Sequence, residues 1–309
     1  MQKRKNIQLL ISLSVMILLI IVLFVFNNSK NSSEVDKAIF QITSLEKIDR
    51  VVLQSAKEKI ELKFNGSKWL VNGAHEADRQ MITVLFAALK QVEAKRKVAS
   101  NIQDSVKNEI NKNGIKVSCF EGDALSKEFW SEGNKQKSET YFQLSDGVPY
   151  LVTIPGYRVY VASVFEVPAN DWRDKQVFNF NWQNIKSLEV SFPTDTKQSF
   201  NASFIGRFFS IEGIATDTTK LDRFMDALFQ LRAEKILDST EVRNYQSSLE
   251  QTPLMKIKIN DIANQSYPLT IYPIEKGNDV IVGRVNEVIL LNPMAIREIF
   301  RKRNYFIQK

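Results

Sequence analysis

Two short segments of this chain, 140 residues apart, decide its fold. The first is GSKWLVNG at 66–73, and the second is GRFFSIEG at 206–213. Each has an aromatic residue near its centre and a glycine at both ends, which is the composition of a short strand closed by tight turns. The recurrence of one pattern at a fixed distance indicates a duplicated structural unit.

An amphipathic helix is predicted after each segment. Apolar residues recur at intervals of three and four after Asp78, and they do so again after Asp217. This spacing places them on one face of a helix. Each aspartate stands where the N-cap belongs, because its carboxylate accepts hydrogen bonds from the unpaired amides of the first turn.

Strand patterns surround both helices. In the first copy they cover 49–54, 59–64, 115–120, 128–131, 141–144 and 150–154, and in the second they cover 185–192, 200–204, 255–259, 267–272, 280–282 and 288–291. Each copy closes with a short apolar helix, at 159–165 and at 295–300. This order predicts an α+β fold with two tandem, similar antiparallel-sheet-plus-helix repeats, repeat 1 over 45–180 and repeat 2 over 181–309.

The N-terminus has the pattern of a membrane anchor. Residues 7–26 carry no charge, and as a helix they would rise about 30 Å, the thickness of a bilayer's hydrocarbon core. The basic residues at 3–5 are expected to stay in the cytoplasm by the positive-inside rule. We therefore expect a cytoplasmic tail (1–6), a transmembrane helix (7–26), a polar linker (27–44) and the bulk of the chain outside. A cleaved signal peptide would have a shorter apolar region and a small-residue cleavage site, and 25–29 is a poor site.

Composition argues against several chemistries. The 309 residues include one cysteine, Cys119, and one histidine, His75, so no internal disulfide is possible and a zinc site is disfavoured. Residues 3–5 supply three of the 42 basic side chains, and the remaining 39 against 35 acidic ones are weak support for a nucleic-acid surface. The phosphate-binding, dinucleotide-binding, zinc-protease and serine-hydrolase motifs are missing from the sequence. We predict no catalytic residue, no cofactor, no metal and no nucleic-acid partner.

Three places in the sequence are candidates for a functional site. His75, beside Glu76 and Asp78, has the chemistry of a base or ligand, but an exposed loop histidine next to an N-cap is the favoured interpretation. Cys119 falls inside a predicted strand, which favours a buried and inert thiol over a nucleophile.

The third place is a charged run around an aromatic residue. We consider Asp171, Trp172, Arg173 and Asp174 a possible interaction patch, because tryptophan and arginine often anchor interfaces. The competing and favoured interpretation is a connector, in which Trp172 plugs the seam between the halves and the charges pair locally.

These features resemble a known family. The strand pair leading into the glycine–aromatic–glycine segment, the aspartate-capped helix and the run at 172–175 are similar to the bacterial domain of unknown function family 4340, from about Leu45 to the C-terminus. The second copy departs from the pattern, with Phe209 where the first has Trp69. The resemblance implies a membrane-anchored extracytoplasmic protein associated with ABC transporters of the gliding-motility type, and it supplies no catalytic residues.

The expected function is therefore that of a non-enzymatic accessory or scaffold subunit. It would sit in the bacterial inner membrane by a single span, with its N-terminus cytoplasmic and its bulk periplasmic. Its partners would be the membrane and other membrane or envelope proteins, such as transporter subunits. The alternative is a free-standing extracytoplasmic binding protein for a small ligand, glycan or peptide, held in a cleft between two similar halves. An envelope enzyme with an unrecognised site is a third hypothesis.

Overall fold

The computed structural model describes residues 16–17, 20, 35–273 and 280–308. The predicted tail (1–6) and nearly all of the predicted transmembrane helix (7–26) lie outside the described residues. Among the residues that are described, no helix is long and apolar enough to cross a bilayer.

Strands dominate the described part of the chain. They are β1 (Arg50–Gln54), β2 (Lys59–Phe64), β3 (Trp69–Val71), β4 (His75–Glu76), β5 (Glu93–Lys97), β6 (Ile115–Glu121), β7 (Ala124–Gly133), β8 (Thr140–Gln143), β9 (Pro149–Thr153), β10 (Ile185–Ser191), β11 (Phe200–Ile205), β12 (Phe208–Ile211), β13 (Ala233–Ile236), β14 (Met255–Asp261), β15 (Ser266–Ile271), β16 (Ile281–Arg284) and β17 (Val288–Leu291). The α-helices are α1 (Arg79–Gln91), α2 (Ser100–Asn113), α3 (Thr218–Phe229), α4 (Gln246–Leu249) and α5 (Pro293–Ile299). Short 3-10 helices cover Leu45–Lys47, Val161–Val164, Ala169–Trp172, Thr196–Gln198, Glu241–Tyr245 and Arg303–Phe306.

The chain forms two compact units that are discontinuous in sequence. The first unit contains 1–59 and 84–166, and the second contains 60–83 and 167–309. Residues 60–83 thus group with the C-terminal part of the chain. The repeat boundaries drawn from the sequence, 45–180 and 181–309, stay predictions.

The first unit is built on an antiparallel sheet with the strand order β1-β6-β7-β8-β9-β5. Its centre is aromatic, with Phe129 stacked on Phe142 at 4.5 Å and Phe165 set edge-on to both rings. Phe40 completes this cluster and is fully buried. The last part of the predicted linker (27–44) therefore packs in the core of this unit.

The second unit contains an eight-stranded antiparallel sheet with the order β12-β11-β10-β14-β15-β16-β17-β13, and the short strands β2, β3 and β4 pair antiparallel with one another. Alternation along β14 shows why it lies centrally, because Met255, Ile257 and Ile259 face the core while the lysines between them face solvent. Helix α3 adds four buried residues from its apolar face (Leu221, Phe224, Met225 and Leu228). The prediction of an α+β fold with two antiparallel sheets is confirmed.

The internal similarity extends to strand order and to irregularities. The order β1-β6-β7-β8-β9-β5 matches β10-β14-β15-β16-β17-β13 strand for strand. The register of β5 shifts between Ala94 and Arg96, and that of β13 shifts between Ala233 and Lys235, which are the equivalent positions. A bulge kept at one place in both copies indicates a common template rather than a chance likeness.

The glycines of the two defining segments have a conformational role. Gly66 and Gly206 each turn a hairpin and have φ values of +94° and +65°, a region that side chains with a Cβ rarely adopt. Asp78 and Asp217 both cap their helices, as predicted, accepting from the amides of Met81 at 3.2 Å and Lys220 at 3.1 Å respectively.

Candidate functional site

A polar cleft of about 660 Å³ opens in the second unit. One wall is the segment 75–80, which contains β4 and the start of α1, and the other is formed by residues from 173 to 179 together with Arg232. Amide side chains and charged side chains of both signs line it, so the cleft suits polar contacts rather than an apolar ligand.

Backbone hydrogen bonds fix the two walls to each other. The amide of Asp78 donates to the carbonyl of Trp172 at 2.7 Å, and the amide of Asp174 donates to the carbonyl of Glu76 at 2.8 Å. Ala77 and Arg173 form the antiparallel bridge between these bonds. The positions of the cleft's side chains are therefore set by a rigid backbone element.

Arg232 joins both walls through its side chain. Its Nη2 lies 2.7 Å from Oδ2 of Asp78 and 2.9 Å from Oδ1 of Asp174. The other carboxylate oxygen of Asp78 accepts from the amide of Gln80 at 2.8 Å, so one side chain both caps α1 and holds the arginine. Since Arg232 is half exposed, this charge cluster remains accessible from the cleft.

Arg173 makes a second ion pair at the cleft. It is 9% exposed, and its guanidinium donates to both carboxylate oxygens of Glu287 and to Oδ1 of Asn170. These hydrogen bonds lower the pKa of the Glu287 carboxyl, because they stabilise its charged form. Nε of Arg173 is buried without a hydrogen-bond partner among the described residues.

The predicted interaction patch divides into buried and partly exposed residues. Trp172 is fully buried, and its Nε1 donates to the carbonyl of Val167 at 3.1 Å. Asp171 is partly exposed and pairs with Lys175 at 2.7 Å, while Asp174 pairs with Arg232. Trp172 and Arg173 thus have structural contacts, and only the two aspartates of the four reach the surface.

The other candidates also have definite places. His75 lies exposed on β4 and lines the cleft with Glu76 and Asp78, whereas Cys119 is fully buried in β6. Burial raises the pKa of the Cys119 thiol to about 12, so the nucleophilic thiolate is scarcely populated at neutral pH. Within the described ranges, no group of three or more His, Cys, Asp or Glu side chains could hold a metal ion.

Sequence reasoning missed Arg232 and Glu287. Neither lies in a motif, and Glu287 is 114 residues from the arginine that it pairs with. For Arg232 a signal existed in the aligned copies, because the first copy has Glu93 at the equivalent position. A change of charge sign at one repeat position marks a contact that only one copy makes.

The fold and the cleft define a duplicated antiparallel α+β protein with a polar cavity, in which Arg232 pairs with two lining aspartates. A family model described as a domain of unknown function (DUF4340) matches residues 69–249, which is more than half of the chain. The chain belongs to this family, as its sequence resemblance implied. No curated protein and no solved structure matches it.

Proposed function

We propose that this chain is a non-enzymatic accessory or scaffold subunit of an ABC-transporter-like or other cell-envelope complex. Residues 7–26 would anchor it in the bacterial inner membrane, with residues 1–6 cytoplasmic and the folded part periplasmic. The uncharged run of membrane-spanning length and its basic flank support this placement.

The observation that carries the proposal is that the cysteine is buried and that Arg173 and Arg232 of the cleft are paired with carboxylates of the same chain. Cys119 is buried with a raised pKa, Arg173 is held by Glu287, and Arg232 is held by two aspartates. An enzyme needs such groups poised toward a substrate. Here they stabilise a scaffold, which suits a protein that works by contact.

Purification of the tagged full chain from native membranes in a mild detergent tests this function. We expect a membrane or envelope protein to co-purify in a fixed ratio. A matched control replaces 7–26 with an unrelated apolar span of equal length and leaves the folded part unchanged. Loss of the partner in this control would mean that the anchor binds it, and recovery of the wild-type chain alone would refute the accessory role.

The cleft favours a second candidate, a free-standing binding protein for a small polar ligand, glycan or peptide. Its two walls carry cations and carboxylates that could hold a ligand with both kinds of group. The test measures the thermal stability of the purified chain against a panel of such ligands. The control is Lys258→Gln, which removes one partner of the exposed ion pair with Glu189 elsewhere on the sheet. Stabilisation that is lost in Arg232→Gln and kept in Lys258→Gln would support this candidate over the first.

A further inference from the structure

The second unit exposes an apolar surface at one end of its sheet. We call it the apolar tip and define it by Trp182, Phe204, Ile205, Phe208 and Ile262, which are between 41% and 69% exposed. Exposed large apolar side chains scattered singly are ordinary, but five gathered at one end of a sheet, with Phe204 on one face and Ile205 and Phe208 on the other, indicate a contact surface.

Strand register brings these residues to the same end. Ile185 begins β10 and pairs with Asp261, the last residue of β14, so Trp182 and Ile262 flank this level of the sheet. Ser187 pairs with Ser203, and β11 continues from there to Ile205 at the same end. The turn at 206–207 then places Ile205 directly opposite Phe208.

A buried aromatic residue packs beneath part of the apolar tip. Phe209 is buried and contacts the ring of Phe204 at 5.2 Å and that of Trp182 at 5.9 Å between centroids. The rings of Phe204 and Trp182 are therefore held in place by packing beneath them.

The equivalent end of the first copy is polar. Asn65 stands in the place of Ile205 and Lys68 in the place of Phe208, although both hairpins keep the turn glycine and the aromatic pair below it. The hairpin folds equally well with polar residues at these positions. Its apolar residues in the second copy are consequently not required by the fold.

The charges around the apolar tip are basic. Arg207 is exposed in the turn at 206–207. Lys186 is exposed at the start of β10, and its Nζ lies 2.9 Å from Oδ1 of Asn264. The nearby carboxylate, Asp261, is buried and accepts hydrogen bonds from the amide of Gln265 and the hydroxyl of Tyr267. Aromatic and aliphatic side chains flanked by exposed cations match the headgroup region of an anionic bilayer, where rings partition to the interface and cations meet phosphate.

We propose that the apolar tip inserts into the surface of a bilayer containing anionic phospholipid. This inference rests on the membrane anchorage of the proposed function, which brings the folded part to a lipid surface. It adds a second lipid contact, made by a hairpin of the folded part rather than by the N-terminal span.

The test uses the full chain reconstituted in vesicles of phosphatidylcholine and phosphatidylglycerol. The environment-sensitive fluorophore NBD is attached at Phe208→Cys, while Cys119 is fully buried and stays unlabelled. The matched control carries the same label at Lys68→Cys, the equivalent hairpin position of the first copy. We expect a blue-shifted emission at 208 and quenching by nitroxide-labelled phospholipid several-fold stronger than at 68. Equal quenching of both positions by aqueous iodide, without lipid quenching, would overturn the proposal.

A second variant asks whether the hairpin itself inserts. NBD at Ile262→Cys is measured with and without the double change Ile205→Asn and Phe208→Lys, which gives the hairpin the residues of the first copy. Lipid quenching at 262 should fall sharply in the double variant while the circular dichroism spectrum is unchanged. Undiminished quenching would mean that the hairpin does not insert.

The outcome can be separated from that of the accessory role. If Phe208 stays in water on pure lipid but cross-links to a protein in native membranes, the tip is a protein contact, so the lipid proposal fails and the accessory role stands. If lipid quenching is seen and no partner co-purifies, the accessory role fails and the lipid contact stands.

Discussion

Phe40 should be among the residues on which the first unit depends most. The ring is fully buried and lies edge-on to Phe129, Phe142 and Tyr150, at centroid distances of 5.9, 5.3 and 5.6 Å. Truncation of a buried phenylalanine to alanine costs about 3–5 kcal/mol, from lost transfer energy and the cavity left behind. Each aromatic pair adds about 0.5–1.5 kcal/mol beyond area burial, which places Phe40→Ala toward the upper end of that range.

Hydrogen exchange at increasing urea concentration measures this loss for each unit, with peptides from β8 and β9 reporting on the first and peptides from β15 on the second. Phe40→Ala should lower the free energy of opening in β8 and β9. Phe178, which ends DKQVF at 174–178 as Phe40 ends DKAIF at 36–40, is the equivalent residue of the second copy, and Phe178→Ala should act on β15 instead. Lys37→Ala, an exposed change three residues before Phe40, should stay within about 0.5 kcal/mol of wild type. If Phe40→Ala were as stable as Lys37→Ala, residues 35–44 would be a mere linker and the packing argument would be wrong.

Three further predictions concern the ion pairs and the thiol. In the folded chain Arg173 lowers the pKa of Glu287 below its ordinary 4.5. Their pair therefore stabilises the fold fully above pH 4.5, and this contribution is lost as the pH falls through the lowered pKa of Glu287. Because the Glu287 side chain is 44% exposed and solvent screens the pair, Glu287→Gln should cost no more than about 1 kcal/mol in urea unfolding at pH 7, and the gap to wild type should close below pH 4.5; a constant gap would contradict the assignment. Cys119 should resist iodoacetamide in the folded chain at pH 8 and react fully in urea, as followed by mass spectrometry, and rapid native labelling would contradict its burial. Asp78→Ala should cost about 0.5–2 kcal/mol of thermal stability through the lost helix cap, and more than Asp78→Asn, which keeps a capping oxygen but weakens the pair with Arg232; equal losses would mean that the cap contributes little.

Most strands were predictable because one face of each sheet is buried. Alternation at 255–259 and periodicity after Asp217 predicted β14 and α3 to within a few residues. Helix α2, at 100–113, has no counterpart among the predicted elements, because Ile110 is its one fully buried residue and a helix so polar has little periodic signal. The short segment predicted as a helix at 159–165 is a single 3-10 turn at 161–164.

A second duplicated signal lies in the sequence. The stretch DKAIF at 36–40 recurs as DKQVF at 174–178, and in both the lysine carbonyl accepts from the alanine that begins the bulge, Ala94 at 3.0 Å and Ala233 at 2.7 Å. It is obscured because 36–40 follows a polar stretch and falls within the predicted linker (27–44). Charge alone makes the second aspartate–lysine pair part of a possible patch, whereas its recurrence indicates that the segment leads the chain into each copy.

The candidate cleft was harder to predict than the fold. Its ion pairs join residues 58 to 154 positions apart, and nothing local in the sequence specifies such partners. Charge makes 171–174 a possible interaction patch, whereas the favoured interpretation is a connector in which Trp172 is packed inside. Trp172 is buried, and its carbonyl accepts the amide of Asp78, just as the carbonyl of Phe306 accepts that of Asp217 at 2.8 Å.

The duplication separates what the fold needs from what the protein adds. Trp172 and Phe306 occupy equivalent buried places, so an aromatic residue there is structural. Beside them Arg173 corresponds to Ile307, which is 41% exposed, so the pair of the buried Arg173 with the exposed Glu287 belongs to one copy alone. The hairpin at 204–209 differs from its counterpart in the same way, by exposing apolar residues that the fold does not require. Because the fold requires neither difference, the cleft and the apolar tip are the places where contact with another molecule is to be sought first.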